Sequence, residues 1–486
     1  MIAAFKSQEY LWMRRSHLPW FEKQQSSSIK HSSRHRSDWL FALTPGLDED
    51  YFDGVMNTLV QIMYYPDTRS TLRQINDNKT SELESAERQR LSNNVPGARG
   101  TGPTMSWGAF TGSPSLDKRS MANPPRTPLS QLLPPLILGG AGFSYQHTQS
   151  PNVEQTREVV SRAFELGVRA IDTSPYYEPS EALLGEALSH PDFTTRYRRS
   201  DYILMTKVGR VSATKSDYSP DWIRSSVARS LQRLRTSYLD VVFCHDIELV
   251  EEESVLKAIG VLLELVDAGT VRYIGVSGYP INTLARVARR ARKLYGRPLD
   301  VIQNWAQMTL QNDRLEREGL QAFKEAGVNC VCNSSPLASG LLRGEGVPIA
   351  ALGDWHPAPE GLRRAAHAAA AYVASQGEVL ARLALRYALR RAQHCSTSDV
   401  RVGTIMGGTT VAEVEENVTT ALKVLQRSNG RLQWSSQGIG GWTENRDAQL
   451  DLRLSRDVQQ ILGKWRNYSF SDGKTERKED VVQTKL

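Results

Sequence analysis

From Leu136 onward, hydrophobic and polar positions follow two alternating rhythms. Short runs rich in Val, Ile and Leu give way to longer stretches in which apolar residues recur every three or four positions. The first rhythm predicts strands and the second helices. LILGGAGF opens the series and VEQTREVVSRAFELG follows it, with Val153, Val160, Ala163, Phe164 and Leu166 near one face and Gly167 as the stop. Further strands are predicted at VRAID, YILMTK, LDVVFCH, VRYIGVS, LDVIQN, VNCVCN and VGTIM. Helices are predicted over 180–188, from the Ser219 N-cap and Pro220 to Leu234, and over 254–268, 283–294, 313–326, 362–375, 378–391 and 411–425.

That pattern makes eight βα units in about 290 residues, the count and length of a closed (β/α)8 barrel, an α/β fold. Its strands are nearly continuous apolar runs, as strands buried on both faces must be. A doubly wound sheet is the alternative, but no G-x-G-x-x-G follows the first strand. After Leu425, NGRLQWSSQGIGGWTENRD reads as a loop, and a last helix is predicted near 452–465. WRNYSF then packs back on the barrel or covers its mouth.

Residues 1–130 differ in kind. SSSIKHSSRHRS, NDNKTSELESAERQRLSNN and VPGARGTGPTMSWGAFTGSPS are rich in Ser, Gly, Asn and charge and show little periodicity. They predict a mostly disordered extension, with one short helix over 51–65. The barrel is expected over 131–470 and a flexible tail over 471–486.

Composition narrows the function. The 486 residues carry a net charge of +7 spread thinly, so no nucleic-acid footprint is expected, and RRAR at Arg289–Arg292 reads as a solvated face. No stretch approaches the roughly 20 apolar residues of a membrane span. The four cysteines, Cys244, Cys330, Cys332 and Cys395, fit neither a disulfide framework nor a metal site. MIAAFKSQEYLWMRR has no continuous apolar run and carries Glu9, a weak transit peptide, so a reducing compartment is expected, cytoplasmic first with a mitochondrial one as the alternative.

Chemistry gathers at the C-terminal ends of consecutive strands. Asp172 and Tyr177 follow the second, Lys207 ends the third and His245 the fourth. Barrel active sites are built at that end. Tyrosine is a poor acid or base near neutrality, and a neighbouring ammonium such as Lys207 lowers its pKa. Asp172 would balance the lysine, and His245 can hydrogen-bond a substrate oxygen. Taken singly, the Asp could cap a helix, the Lys could be solvated and the His could be structural. Their placement on three successive strands favours a proton-transfer unit.

The sequence resembles the aldo-keto reductases, most closely their D-arabinose/L-galactose dehydrogenase branch. The motifs are LGGAGF, the D-x-x-x-x-Y of Asp172 and Tyr177, MTKVGR, HDIE at His245–Glu248, YIGVSGYP, SSPLASGLL and MGGTTVAEVEEN. The resemblance implies that Tyr177 transfers the proton, assisted by Lys207, Asp172 and His245. It implies that Ser277 and Gln303 hold the nicotinamide carboxamide. The loops after strands seven and eight would hold the pyrophosphate and adenosine through Ser335, Leu337, Gly340, Gly407, Gly408, Glu413 and Asn417. Backbone amides at a helix start suit phosphate.

Three departures from the family pattern stand out. Ser277 is followed by Gly278 rather than Asn, which removes one carboxamide contact. Asn333-Ser334 replaces an aromatic that would stack on the nicotinamide. Gly407 and Glu413 stand where NADP-preferring members carry basic residues, and a carboxylate repels a 2′-phosphate, so NAD is expected as cofactor. The expected reaction is oxidation of the anomeric hydroxyl of an aldose such as D-arabinose to the lactone. The alternatives are an NADPH-dependent aldehyde or ketone reductase, a Schiff-base aldolase using Lys207, and a non-catalytic cofactor-binding barrel. Trp305 and Tyr145 are candidates for the mouth. The partner is a small sugar, with no metal, nucleic acid or membrane, and the oligomeric state is unread.

Overall fold

The computed structural model describes residues 126–349, 353, 355–425, 427–428, 431–432 and 446–471. The helix expected over 51–65, the rest of the extension up to 125 and most of the expected tail lie outside the described residues.

Eight parallel strands close into one barrel in sequence order. They are β1 (Leu136–Gly139), β2 (Ala170–Asp172), β3 (Ile203–Val208), β4 (Leu239–Cys244), β5 (Val271–Gly278), β6 (Val301–Trp305), β7 (Cys330–Ser334) and β8 (Arg401–Met406). The ring shuts where Leu138 of β1 pairs with Met406 of β8. The α-helices of six or more residues between them are α2 (Val153–Glu165), α3 (Ser180–Ser189), α4 (Pro220–Arg233), α5 (Glu252–Asp267), α6 (Ile281–Tyr295), α7 (Leu320–Glu325), the pair α8 (Glu360–Ser375) and α9 (Leu380–Cys395), and α10 (Val411–Leu422). A short helix, α1 (Leu129–Leu132), precedes the barrel, and α11 (Arg446–Leu462) follows it. Their apolar stripes pack against the outer faces of the strands, which is why the strands read as unbroken apolar runs.

Most elements stand within a few residues of where the periodicity puts them, and the differences have local causes. α5 starts two residues early, because Glu252 and Glu253 favour the positive end of the helix. The helix expected over 313–326 contains a wide turn at Leu315–Gly319 before α7. Ser219 precedes Pro220 as expected but does not cap α4; its hydroxyl donates to Asp217 instead, at 2.7 Å. Gly167 and Gly269 end their helices with φ of 95° and 75°, a region that favours glycine.

Inside the barrel, side chains alternate with period two. Ile137, Ala170, Met205, Val241, Phe243, Tyr273, Val301, Cys330, Cys332 and Ile405 form the interior core. Leu129 and Leu133 of the α1 segment join it and plug the end at which the strands begin. Tyr273 donates its hydroxyl to the Thr127 carbonyl at 2.5 Å, and the Arg126 guanidinium lies 4.6 Å from the Tyr273 ring centre. The boundary drawn at residue 131 therefore falls inside a segment that packs on the barrel.

At the C-terminal side, α11 docks on α8 and α9. Buried Asp451 accepts hydrogen bonds from Arg386 and Arg390, and Leu454, Val458 and Leu462 complete a second apolar cluster with Phe470. This helix begins at 446 rather than 452. The chain after it does return to the barrel mouth. Gln311 donates to the carbonyls of Trp465 and Tyr468 at 3.0 and 3.1 Å, and Asn467 N–H donates to the Gln311 carbonyl at 2.7 Å.

Candidate active site

The period-two alternation that builds the core also aims the polar residues. Asp172 follows Ala170 by two, Lys207 follows Met205, His245 follows Phe243, Ser277 follows Gly275 and Gln303 follows Val301. All five point into the barrel at its C-terminal end, directly above the apolar interior. All five are buried, with relative exposures of 2–4%. Tyr177 lies in the β2–α3 loop, half-buried, in a turn where its N–H donates to the Ser174 carbonyl at 3.0 Å.

Lys207 Nζ donates to Asp172 Oδ2 at 2.7 Å and to the Thr173 carbonyl at 2.9 Å. Gln303 Nε2 donates to the same Asp172 oxygen at 3.3 Å. Burial alone would pull the Lys207 pKa down, but the charge and hydrogen bond of Asp172 outweigh it, and the pKa is raised. Lys207 is thus a locked ammonium, 4.9 Å from the centre of the Tyr177 ring. Tyr177 departs from the sequence expectation. Burial pushes its pKa up, Lys207 pulls it down and Asp172 pushes it up again, so the net direction is upward. The ammonium acts as expected, but Asp172 cancels part of its field.

Burial holds the His245 pKa down to about 3, against the opposing pull of Asp246. The imidazole is neutral near pH 7. Its Nδ1 lies 3.1 Å from Ser174 Oγ, which itself accepts from the Tyr176 N–H at 3.1 Å. The Ser174 hydroxyl can donate to Nδ1, and in that tautomer the imidazole proton sits on Nε2, 3.7 Å from Asp246 Oδ2. The His245 ring stands edge-on to Tyr177, with centres 5.7 Å apart. A neutral N–H donor, a phenol and a locked ammonium around one opening can hold an oxygen and move a proton.

The residues expected to contact the cofactor occupy three places. Ser277 and Gln303 are register partners on β5 and β6. Ser335, Leu337 and Gly340 lie in the turn after β7, where Ser335 and Gly340 have φ of 54° and 94°. Gly407 and Gly408 join β8 to α10, where Thr410 caps the helix by accepting from the Glu413 N–H at 3.2 Å. Glu413 and Asn417 are bonded to the loop itself. Glu413 Oε2 accepts from the Thr409 N–H and hydroxyl, both at 2.7 Å, and Asn417 donates to the Gly407 carbonyl at 2.9 Å. They shape this turn, whatever else they touch.

The sequence profile of the aldo/keto reductase family matches residues 135–429, the whole barrel. The chain belongs to that family. Among known aldo/keto reductases, D-arabinose 1-dehydrogenase of Saccharomyces cerevisiae is 39% identical over 52% of this chain and 75% of the yeast protein. L-galactose dehydrogenase of Arabidopsis thaliana is 35% identical over 54% of this chain and 77% of its own length. An aldo-keto reductase of Schizosaccharomyces pombe, named with NADP(+), is 28% identical over 46% of this chain and 64% of its own. The protein is therefore an oxidoreductase of a family that uses nicotinamide cofactors.

The residues present fit such a cofactor. Gln303 Oε1 is buried without a hydrogen-bond partner, an acceptor suited to a carboxamide N–H. A side chain at Gly407 would meet nothing within 4 Å, so the start of α10 is open to a ligand. Asn333 is buried and donates to the Met308 carbonyl at 3.4 Å, so it offers no stacking surface. Aromatic surface at the mouth comes from Trp305, whose ring centre lies 4.5 Å from Tyr279 and 6.2 Å from Phe470. Tyr145, 64% exposed, projects into solvent.

Several neighbours escaped the sequence reasoning. Ser174, Tyr176, Arg210 and Asp246 all pack around His245 or Tyr177. Arg210 and Asp246 were already visible as letters of MTKVGR and HDIE, without a role. Arg343 was also missed. Burial raises the Glu413 pKa, but the Thr409 hydrogen bonds and the Arg343 charge together bring it below its usual value. Among the described residues no cluster of metal-ligating side chains occurs, and no helix is long and apolar enough to cross a membrane.

Proposed function

We propose that this aldo/keto reductase oxidises the anomeric hydroxyl of a cyclic aldose, such as D-arabinose, to the lactone, with NAD as cofactor. The observation that carries the reading is the buried Lys207–Asp172 pair against the half-buried Tyr177, with neutral His245 facing the same opening. The similarity to two sugar dehydrogenases over three-quarters of their length supports the substrate class.

When bound at Ser277 and Gln303, the nicotinamide supplies the hydride acceptor. Tyr177 takes the hydroxyl proton as phenolate, or passes it on through its own hydroxyl. Lys207 stabilises the phenolate, and Asp172 keeps Lys207 charged in a dry site. His245 donates from Nε2 to the substrate oxygen and fixes its position. A Lys207 held as an ammonium is not a nucleophile, which disfavours a Schiff-base aldolase.

One observation favours the alternative cofactor. Arg343 places a positive charge near Glu413, so the carboxylate does not stand alone against a 2′-phosphate. An NADPH-dependent aldehyde reductase is the second reading. The test is a panel of D-arabinose, L-galactose, L-fucose and simple aldehydes with NAD(H) and NADP(H), followed by nicotinamide absorbance. NAD-linked oxidation of an aldose supports the proposal; turnover confined to aldehydes and NADPH would replace it with the second reading.

A further inference from the structure

We infer that Arg210 and Asp246 form a reader for the sugar hydroxyl next to the carbon that is oxidised, and so set the preference for polyols over simple aldehydes. The inference rests on the aldose reading above. It starts from the position of Asp246, the residue directly after His245. Its carboxylate Oδ2 lies 3.7 Å from His245 Nε2, the atom placed to hold the reacting oxygen. Asp246 is 8% exposed, with its backbone in the left-handed region at φ 51°. That conformation is uncommon for any residue but glycine, though Asp and Asn adopt it more readily than most. It turns the chain sharply at the site and holds the carboxylate beside the imidazole.

Arg210 approaches from the end of β3. Its Nη1 bonds Asp246 Oδ2, its Nη2 donates to the Tyr176 hydroxyl at 3.2 Å, and its guanidinium lies 4.0 Å from the centre of the Tyr176 ring. The Tyr176 ring in turn meets the rings of Tyr177 and His245, with centres 5.9 Å apart in each case. The ion pair is therefore built into the wall of the catalytic opening rather than added to the surface.

Its hydrogen-bonding capacity is only partly used. Arg210 Nε is buried with no partner, and Asp246 Oδ1 accepts nothing from the described residues, the contacts all falling on Oδ2. A carboxylate accepts from a hydroxyl hydrogen and a guanidinium donates to a hydroxyl oxygen. Side by side, they match both halves of one alcohol. An aldehyde without hydroxyls would leave them unmatched, and a site built to bond a hydroxyl discriminates strongly against the analogue that lacks it.

The test compares D-arabinose with 2-deoxy-D-ribose, which is D-arabinose without the C2 hydroxyl, and with a hydroxyl-free aromatic aldehyde. The wild-type enzyme should prefer D-arabinose over the deoxy sugar by about 10- to 100-fold in kcat/KM, the range of a charge-assisted hydrogen bond. Asp246→Asn and Arg210→Met should each reduce that preference to within about threefold, mainly through KM for D-arabinose, and leave aldehyde turnover within about twofold of wild type. Arg210→Lys, which keeps the charge, should retain part of the preference. Equal losses on all three substrates would make the pair structural and overturn the inference. A wild-type enzyme that oxidises both pentoses equally well would overturn it while leaving the aldose reading intact. An enzyme that oxidises neither pentose overturns both.

Discussion

Replacing Asp172 with asparagine should unbalance the barrel interior in a way that pH makes visible. Asp172 is 4% exposed and Lys207 2%, and the 2.7 Å contact between them supplies the only opposite charge bonded to Nζ among the described residues. Removing one partner of a buried pair leaves an uncompensated charge and costs about 3–5 kcal/mol. The amide oxygen of the substituted side chain could still accept from Lys207 and Gln303, so the lower part of that range is expected. The sign of the pH dependence should also change. In the wild type, the folded Lys207 pKa is raised above 10.5, so the pair's stabilisation is complete below that value and is lost as pH rises through the folded value. In Asp172→Asn the largest raising influence disappears, Tyr177 and Asp246 supply only lesser ones, and burial dominates. The folded lysine then titrates below the unfolded one. Between the two values the unfolded chain binds the extra proton, so stability should rise with pH up to about 10.5. Urea unfolding followed by tryptophan fluorescence between about pH 7 and 10 reads both effects. Adding Lys207→Met should remove the pH slope and recover most of the loss. A single variant within about 1 kcal/mol of wild type, or one without the new slope, would refute the view that Asp172 holds Lys207 charged.

Tyr177→Phe should lower kcat by about 10²- to 10⁴-fold while cofactor affinity, read by fluorescence titration, stays close to wild type; near-normal turnover would remove Tyr177 from proton transfer. Because the Tyr177 pKa lies above 10.0, sugar oxidation should keep rising with pH up to that value, and Lys207→Met should push any surviving profile higher still; a plateau near neutrality would contradict this. Glu413→Gln keeps the bonds to Thr409 but removes the charge, so the NADP/NAD ratio of kcat/KM should rise, and Arg343→Gln should lower it; an unmoved ratio in both would place these residues away from the adenosine ribose. A chain beginning at Met121 should fold and turn over normally. One beginning at Pro134 loses the buried Leu129 and Leu133, worth about 1.5–3 kcal/mol each, and its thermal midpoint should drop. Equal midpoints for the two would mean that the plug contributes nothing.

Much of this was legible in the residues because strand and helix periods are local. Eight apolar runs, each followed by an amphipathic stretch, predict the barrel, and the period of two then aims Asp172, Lys207, Ser277 and Gln303 inward together. The protonation of Tyr177 was not legible. It depends first on burial, which raises the pKa, and then on how far the charges of Lys207 and Asp172 offset one another, a matter of distance rather than spacing. Arg210 and Asp246 are separated by 36 positions, and only the pairing of β3 with β4 brings the ends of those strands side by side. The expected roles of Glu413 and Asn417 omitted a competing use, since a carboxylate three residues after a Thr cap readily bonds the turn before its own helix. The α1 plug carried too weak a pattern, four residues long, to separate it from the segment before it.

The segment that crosses the mouth has a consequence for how such an enzyme can change. Trp465, Asn467 and Tyr468 are tied to Gln311 and Asn312 largely through main-chain atoms, and the Phe470 N–H donates to the Tyr279 hydroxyl at 2.9 Å. The backbone sets the path of this stretch, and its side chains are held as well: Phe470 is buried in the second apolar cluster, Arg466 donates to Asp313 Oδ2 at 2.6 Å and Asn467 Oδ1 accepts from the Asp313 N–H at 2.9 Å. Asp172, Lys207 and Gln303 lie on strands of the barrel, apart from these bonds. A substitution along this ribbon is therefore felt first as a loss of anchorage at the mouth, which ties the shape of the opening to the docking of the last helix rather than to the Lys207–Asp172 pair.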